Sequence, residues 1–158
     1  MGRKSVKQNK NEYQIARERL GLSREAAADL LEYISDDRIE KIENEKSVVR
    51  PDEVLLMAEK YKAPELCNHY CSMDCPIGQK YVTTVSKEDL QHITVKLLSE
   101  LNAVEKEKQR LLDISVDGKI NSDEKEDFIR IRQELKDIET TISMLTLWVD
   151  NALNEGNI

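Results

Sequence analysis

Apolar residues in the first part of the chain recur at three- and four-residue steps, in short runs that each follow a good helix cap. Ser23 precedes Ala26, Ala27, Leu30 and Leu31, and Ser35 precedes Ile39 and Ile42. This spacing predicts two short helices joined by a tight turn within residues 22–46. Residues 11–20 read as a helix before them, with Tyr13, Ile15, Ala16 and Leu20 toward a core and Gly21 closing it in a left-handed conformation. After them, Val48, Val49 and Arg50 read as extended, because the residue ahead of a proline disfavours helix. Pro51 or Asp52 then starts a helix to about Lys62, with Val54, Leu55, Ala58 and Tyr61 on its apolar side, and a short fifth helix follows at 65–70. Helices this short bury no core alone, so residues 11–66 are expected to form one all-α domain of four to five helices.

The pattern changes after Ser86. Leu90, Ile93, Leu97, Leu101, Val104, Lys108 and Leu111 line one face of a long helix. Phe128, Ile131, Leu135, Ile138, Ile142, Leu145, Val149 and Ala152 then alternate steps of three and four, which marks a coiled-coil seam. The short connection predicts an antiparallel two-helix coiled-coil hairpin over residues 86–155. Ile129, Met144, Leu147, Trp148 and Leu153 fall off that seam, so this surface either packs back on the N-terminal domain or meets another copy; the favoured reading is a homodimer through residues 86–155.

Charge separates the two halves further. Residues 1–66 carry 13 Lys and Arg against 14 Asp and Glu, whereas residues 67–158 carry 11 against 17. Basic charge is densest at the start, with seven basic and two acidic side chains in residues 1–24, so residues 1–10 read as a basic flexible arm. No stretch approaches the ~20 apolar residues of a membrane span, and the expectation is a soluble, cytoplasmic protein.

Residues 11–66 resemble the Xre-type, lambda-repressor-like helix-turn-helix domain. Ile15-Ala16, Arg19 to Ser23, Glu25, Ala28, Ile34-Ser35, Ile39, Ile42-Glu43-Asn44, Pro51, Leu55-Leu56, Ala58 and Tyr61 carry the likeness. Two features depart from the pattern: Glu32-Tyr33 stand where a glycine is usual, and Asp36-Asp37 open the second motif helix. The resemblance implies a sequence-specific transcriptional regulator that binds double-stranded DNA as a dimer, with the helix after Ser35 in the major groove. Ser35, Asp37, Arg38 and Lys41 are then the candidates for base edges. Arg24, Lys46 and Ser47, with Arg3, Lys4, Lys7 and Lys10 of the arm, are the candidates for phosphates.

Two other segments carry possible chemistry. Cys67, Cys71 and Cys75 recur every four residues and would share one helical face, a candidate zinc or iron–sulfur site. The alternative makes Cys67 and Cys71 small buried hydrophobes at a domain junction in a linker over 67–85. Asp113, Ser115, Asp117 and Glu124, with Gly118 at the turn, match the spacing of a calcium loop, although the same letters serve a helix connector. The expectation is no resident cofactor. His69 and His92 are the only histidines and no nucleophile–base pair is recognisable, so an enzyme is not expected. The rival functions are a protein-interaction module that keeps the fold without strong DNA binding, and a metal- or redox-sensing variant acting through the cysteines.

Overall fold

The structure is a computed structural model and describes residues 10–116 and 118–158. Every regular element among them is helical: α1 (Glu12–Arg19), α2 (Arg24–Leu31), α3 (Asp36–Glu43), α4 (Pro51–Lys60), α5 (Glu65–His69), a π-helical turn (Tyr70–Asp74), α6 (Gly78–Tyr81), α7 (Leu90–Ser115) and α8 (Lys125–Glu155). Two compact units result, one from the chain up to Thr84 with Asp150–Ile158, the other from Val85–Val149.

In the first unit the helices start where the cap residues place them. The side-chain oxygens of Asn11, Ser23 and Ser35 accept from the amides of Gln14, Ala26 and Arg38. Arg50 N–H donates to Glu53 Oε2 at 2.8 Å and closes the start of α4 behind Pro51. Ala27, Leu31, Ile34, Ile39, Ile42, Val54, Met57, Tyr61 and Leu66 form the middle of the core. Several apolar residues assigned to that core from spacing are instead outside: Ile15, Leu20, Leu30 and Leu55 are all exposed. Gln14 and Arg17 take the inward positions on α1, because Arg17 has a carboxylate to meet there.

Gly21 ends α1 with φ +71°, as its position predicts. Helices α2, α3 and α4 end without glycine, and Glu32, Glu45 and Lys62 hold φ values of 59°, 57° and 52°. Such a conformation costs an L-residue about 1–2 kcal/mol. The missing glycine at Glu32-Tyr33 is therefore absorbed as backbone strain, with the turn still made and Tyr33 left exposed.

Residues 67–81, expected as a linker, are largely folded. The π-helical turn leads into α6, and Gly78 lies so close to it that a Cβ there would sit 1.8 Å from the Cys71 carbonyl oxygen. No residue but glycine fits that approach.

In the second unit α7 and α8 pack against each other as a hairpin. Arg110 Nε meets Asp127 Oδ2 at 2.6 Å, and Arg130 Nη2 meets Glu107 Oε2 at 2.8 Å, across the two helices. Helix α7 begins one turn later than Ser86 suggests, since Asp89 caps it by accepting from His92 N–H. The seam also differs from the heptad reading. Ile131 and Ile138 are buried as expected, but Leu135 and Ile142 are exposed and Thr141 is fully buried in their place. On α7, Ile93 and Ile114 are buried while Leu90 and Leu101 are exposed. Each apolar stripe is wider than one partner helix covers, so α7 and α8 bury one flank of each stripe and leave the other outside.

Candidate nucleic-acid interface

The two motif helices α2 and α3 are locked by an ion cluster that spacing alone does not reveal. Glu43, near the end of α3, is 1% exposed, and Arg17 of α1 is 5% exposed. Arg17 meets Glu43 with Nε to Oε1 at 2.5 Å and Nη2 to Oε2 at 2.9 Å, and also donates to the Leu22 carbonyl. Arg24 of α2 adds its Nε to Glu43 Oε2 at 2.8 Å. Burial opposes the charge on Arg17, but its hydrogen bonds and attraction to Glu43 outweigh that and push its pKa up. One carboxylate thus ties three helices together. Its sequence signal was present: Glu43 belongs to the Ile42-Glu43-Asn44 string, and Glu on the inner face of an amphipathic helix calls for a buried cation.

A second clamp fixes the other end of α3. Arg38 donates from Nε and Nη2 to both oxygens of Glu53 on α4, at 2.8 and 2.6 Å. Its Nη1 reaches Ser47 Oγ at 2.5 Å and its Nη2 also reaches the Val48 carbonyl at 2.8 Å. Four of the five guanidinium N–H groups are therefore committed within the protein. Burial would raise the Glu53 carboxyl, but Arg38 and the Arg50 N–H hold it below its usual value, and Glu53 in turn holds Arg38 above its own. Arg38 is one of the four candidates for base edges; the structure gives it an internal partner, Glu53 of α4.

The remaining candidates divide by exposure. Ser35, Asp36, Asp37 and Lys41 face outward on α3, while Ile39 and Ile42 face the core. Ser35 spends its oxygen on the cap to Arg38 N–H, at 3.3 Å. Lys41 and Lys46 are exposed and make no ion pair among the described residues. Ser47 is half-buried and accepts from Arg38, and Arg24 is tied to Glu43 but keeps a third of its side chain exposed. Lys10 is paired with Glu18 at 2.6 Å, and Arg3, Lys4 and Lys7 lie outside the described residues. The outer face of α3 is acidic at its start, where the helix N-terminus favours negative charge.

The two ion-site readings find no gathered ligand set. Among the described residues no three His, Cys, Asp or Glu side chains are grouped to hold a metal ion. Cys67 lies in α5, Cys71 in the π-helical turn, and Cys75 past that turn in an extended conformation, so the three do not continue one regular α-helix. Burial and then Cys71 push the Cys67 thiol pKa up, and Cys67 packs against the core as a small hydrophobe. In the calcium-like segment α7 continues through Asp113 and Ser115, whose side chains bond within their own helix. Glu124 Oε2 accepts from Asn121 N–H at 3.1 Å and Asn121 Oδ1 accepts from Glu124 N–H, a capping box for α8. Asp117 lies outside the described residues.

Among the described residues no helix is long and apolar enough to cross a membrane. Residues 14–66, a third of the chain, match the family model of a helix-turn-helix domain, consistent with an Xre-like family. No curated protein and no solved structure matches the chain.

Proposed function

From the premise that residues 14–66 are a helix-turn-helix domain, we propose that the chain is a sequence-specific transcriptional regulator that binds double-stranded DNA as a homodimer. The observation that carries this reading is the outward leading edge of α3, with Ser35, Asp36, Asp37 and Lys41 free of the core. Asp37 accepts from cytosine amino groups and Lys41 donates to guanine, while Ser35 sets the start of the helix. Lys46, Ser47, Arg24 and the basic arm meet phosphates. Arg38 positions α3 through Glu53 and leaves base reading to its neighbours.

The dimer reading is supported by the uncovered flank of the hairpin. Leu101 is 47% exposed, Leu135 47% and Ile142 49%. In a four-helix bundle each helix has two neighbours and both flanks of a wide stripe are buried. A second copy of the hairpin supplies those neighbours, and dimeric heads suit two half-sites one DNA turn apart.

Binding of the protein to duplex DNA from beside its own gene, read by fluorescence anisotropy at two salt concentrations, tests the reading. Lys41→Ala and Lys46→Ala should each weaken binding, Lys46→Ala with a salt slope reduced by about 1. Salt-insensitive, sequence-blind binding, or none, would favour the protein-interaction alternative. That alternative has its own support in the acidic start of α3 beside exposed Tyr33 and Val48.

A further inference from the structure

A cavity of about 520 Å³ opens in the helical head, residues 10–84, between α1, the end of α3, the loop from α3 to α4, and the π-helical turn. Its volume falls in the range of small-molecule sites. Ile42, Val48, Val49 and Met73 give it apolar walls. Asp74 and Glu45 bring two carboxylates to it, and among the described residues no Lys or Arg lines it. Tyr13 OH donates to Asp74 Oδ2 at 3.3 Å, and the His69 ring stands edge-on to Tyr13, 5.8 Å between centroids, so this side of the wall is held in place. The Glu45 carboxylate makes no ion pair among the described residues.

An anion entering here would meet two like charges and, among the described residues, no Lys or Arg to oppose them. A metal ion would find no gathered ligand set. A neutral molecule would gain nothing from the two carboxylates, which sit on exposed residues, Asp74 also accepting from Tyr13 OH. We infer that the cavity binds a small organic cation, an ammonium or amidinium group on an apolar body, with the charge met by Asp74 and Glu45 and the body against Ile42, Val48 and Met73.

The same wall touches the DNA-facing element. Ser47 and Val48 line the cavity and are also the residues that hold Arg38 from the loop side. Ile42 lines it from α3 itself. Filling the cavity therefore acts on the placement of α3, a consequence that rests on the regulator reading; the binding does not.

The test is an NMR titration of the full chain, without DNA, using three probes of one shape: 2-phenylethylamine, 2-phenylethanol and phenylacetate. The amine should give saturable shifts at the amides of Asn11, Ser47, Val48 and His69, the alcohol weaker ones, and phenylacetate none. Asp74→Asn and Glu45→Gln should each weaken the amine about fivefold, the loss of one partly exposed ion pair. Met73→Trp, which crowds the wall without touching a carboxylate, should weaken all binding. No saturable shift with millimolar amine, equal binding of phenylacetate, or unchanged affinity in both charge variants would overturn the inference. A repeat of the DNA anisotropy measurement with the amine present separates the two readings: amine binding with unaltered DNA affinity refutes only the coupling, and amine binding by a protein that ignores DNA refutes only the regulator.

Discussion

The head and the hairpin treat buried charge in opposite ways. In the head, Glu43 has two arginines, and Glu53 has Arg38, the Arg50 guanidinium at 3.3 Å and the Arg50 backbone N–H, so their burial is compensated. In the hairpin, Glu100 and Glu134 each keep an inward oxygen, and Thr141 its hydroxyl, without a hydrogen-bond partner among the described residues. Leu135 and Ile142 meanwhile lie outside. Such an imbalance is expensive in a finished structure. Buried atoms without a partner occur in the head too, at Gln14 Oε1 and Tyr61 OH, but its buried carboxylates Glu43 and Glu53 are paired, whereas the inward oxygens of Glu100 and Glu134 are not.

That difference can be broken first at Glu43. Glu43→Ala leaves the buried Arg17 without its counter-charge and should cost about 3–5 kcal/mol, enough to unfold so small a domain, as read by loss of its cooperative thermal transition. Arg38→Ala should cost about 2 kcal/mol of head stability by denaturant melting, since Glu53 is 3% exposed and loses both of its strongest bonds. If Arg38→Ala instead leaves stability unchanged and alters only DNA choice, the clamp is misassigned.

The clamp also has a pH signature. The Glu53 carboxyl is held below its usual 4.5, as is that of Glu18 beside Lys10. A lowered folded value contributes stability above the unfolded value and loses it as pH falls through the folded one. The head should therefore melt at steadily lower temperature from about pH 5 to about pH 3, with Glu53→Gln flattening the slope by up to one proton. The smallest effect, and the one of opposite sign, belongs to the hairpin. Glu134→Leu removes an unanswered carboxylate and should stabilise the chain by about 1 kcal/mol in denaturant. Destabilisation there would mean that Glu134 has a partner in the assembled protein.

Much of the head was legible in advance because its signals are local. Ser23, Ser35 and Pro51 mark helix starts by chemistry that needs no neighbour, and Gly21 marks an end. Which face turns inward was less legible. Ile15 and Leu55 look like core from their apolarity, yet Arg17 and Met57 occupy the inside, because a distant carboxylate and the packing of other helices decide rotation. The role of Arg38 was hidden for the same reason: Glu53 lies fifteen positions away. In the hairpin the heptad was read correctly as a repeat, but a repeat does not say which of its two flanks the first partner covers. The cavity was invisible, since its wall draws on four separate segments.

Selection of bound sequences from a pool of random DNA duplexes tests the regulator reading most directly. The wild-type protein should enrich a paired motif with half-site centres about 10–10.5 base pairs apart, or a multiple of that spacing, and Asp37→Ala with Lys41→Ala together should abolish the enrichment while leaving the melting temperature intact. Failure to enrich any motif at low salt, from protein shown to be folded, would contradict it.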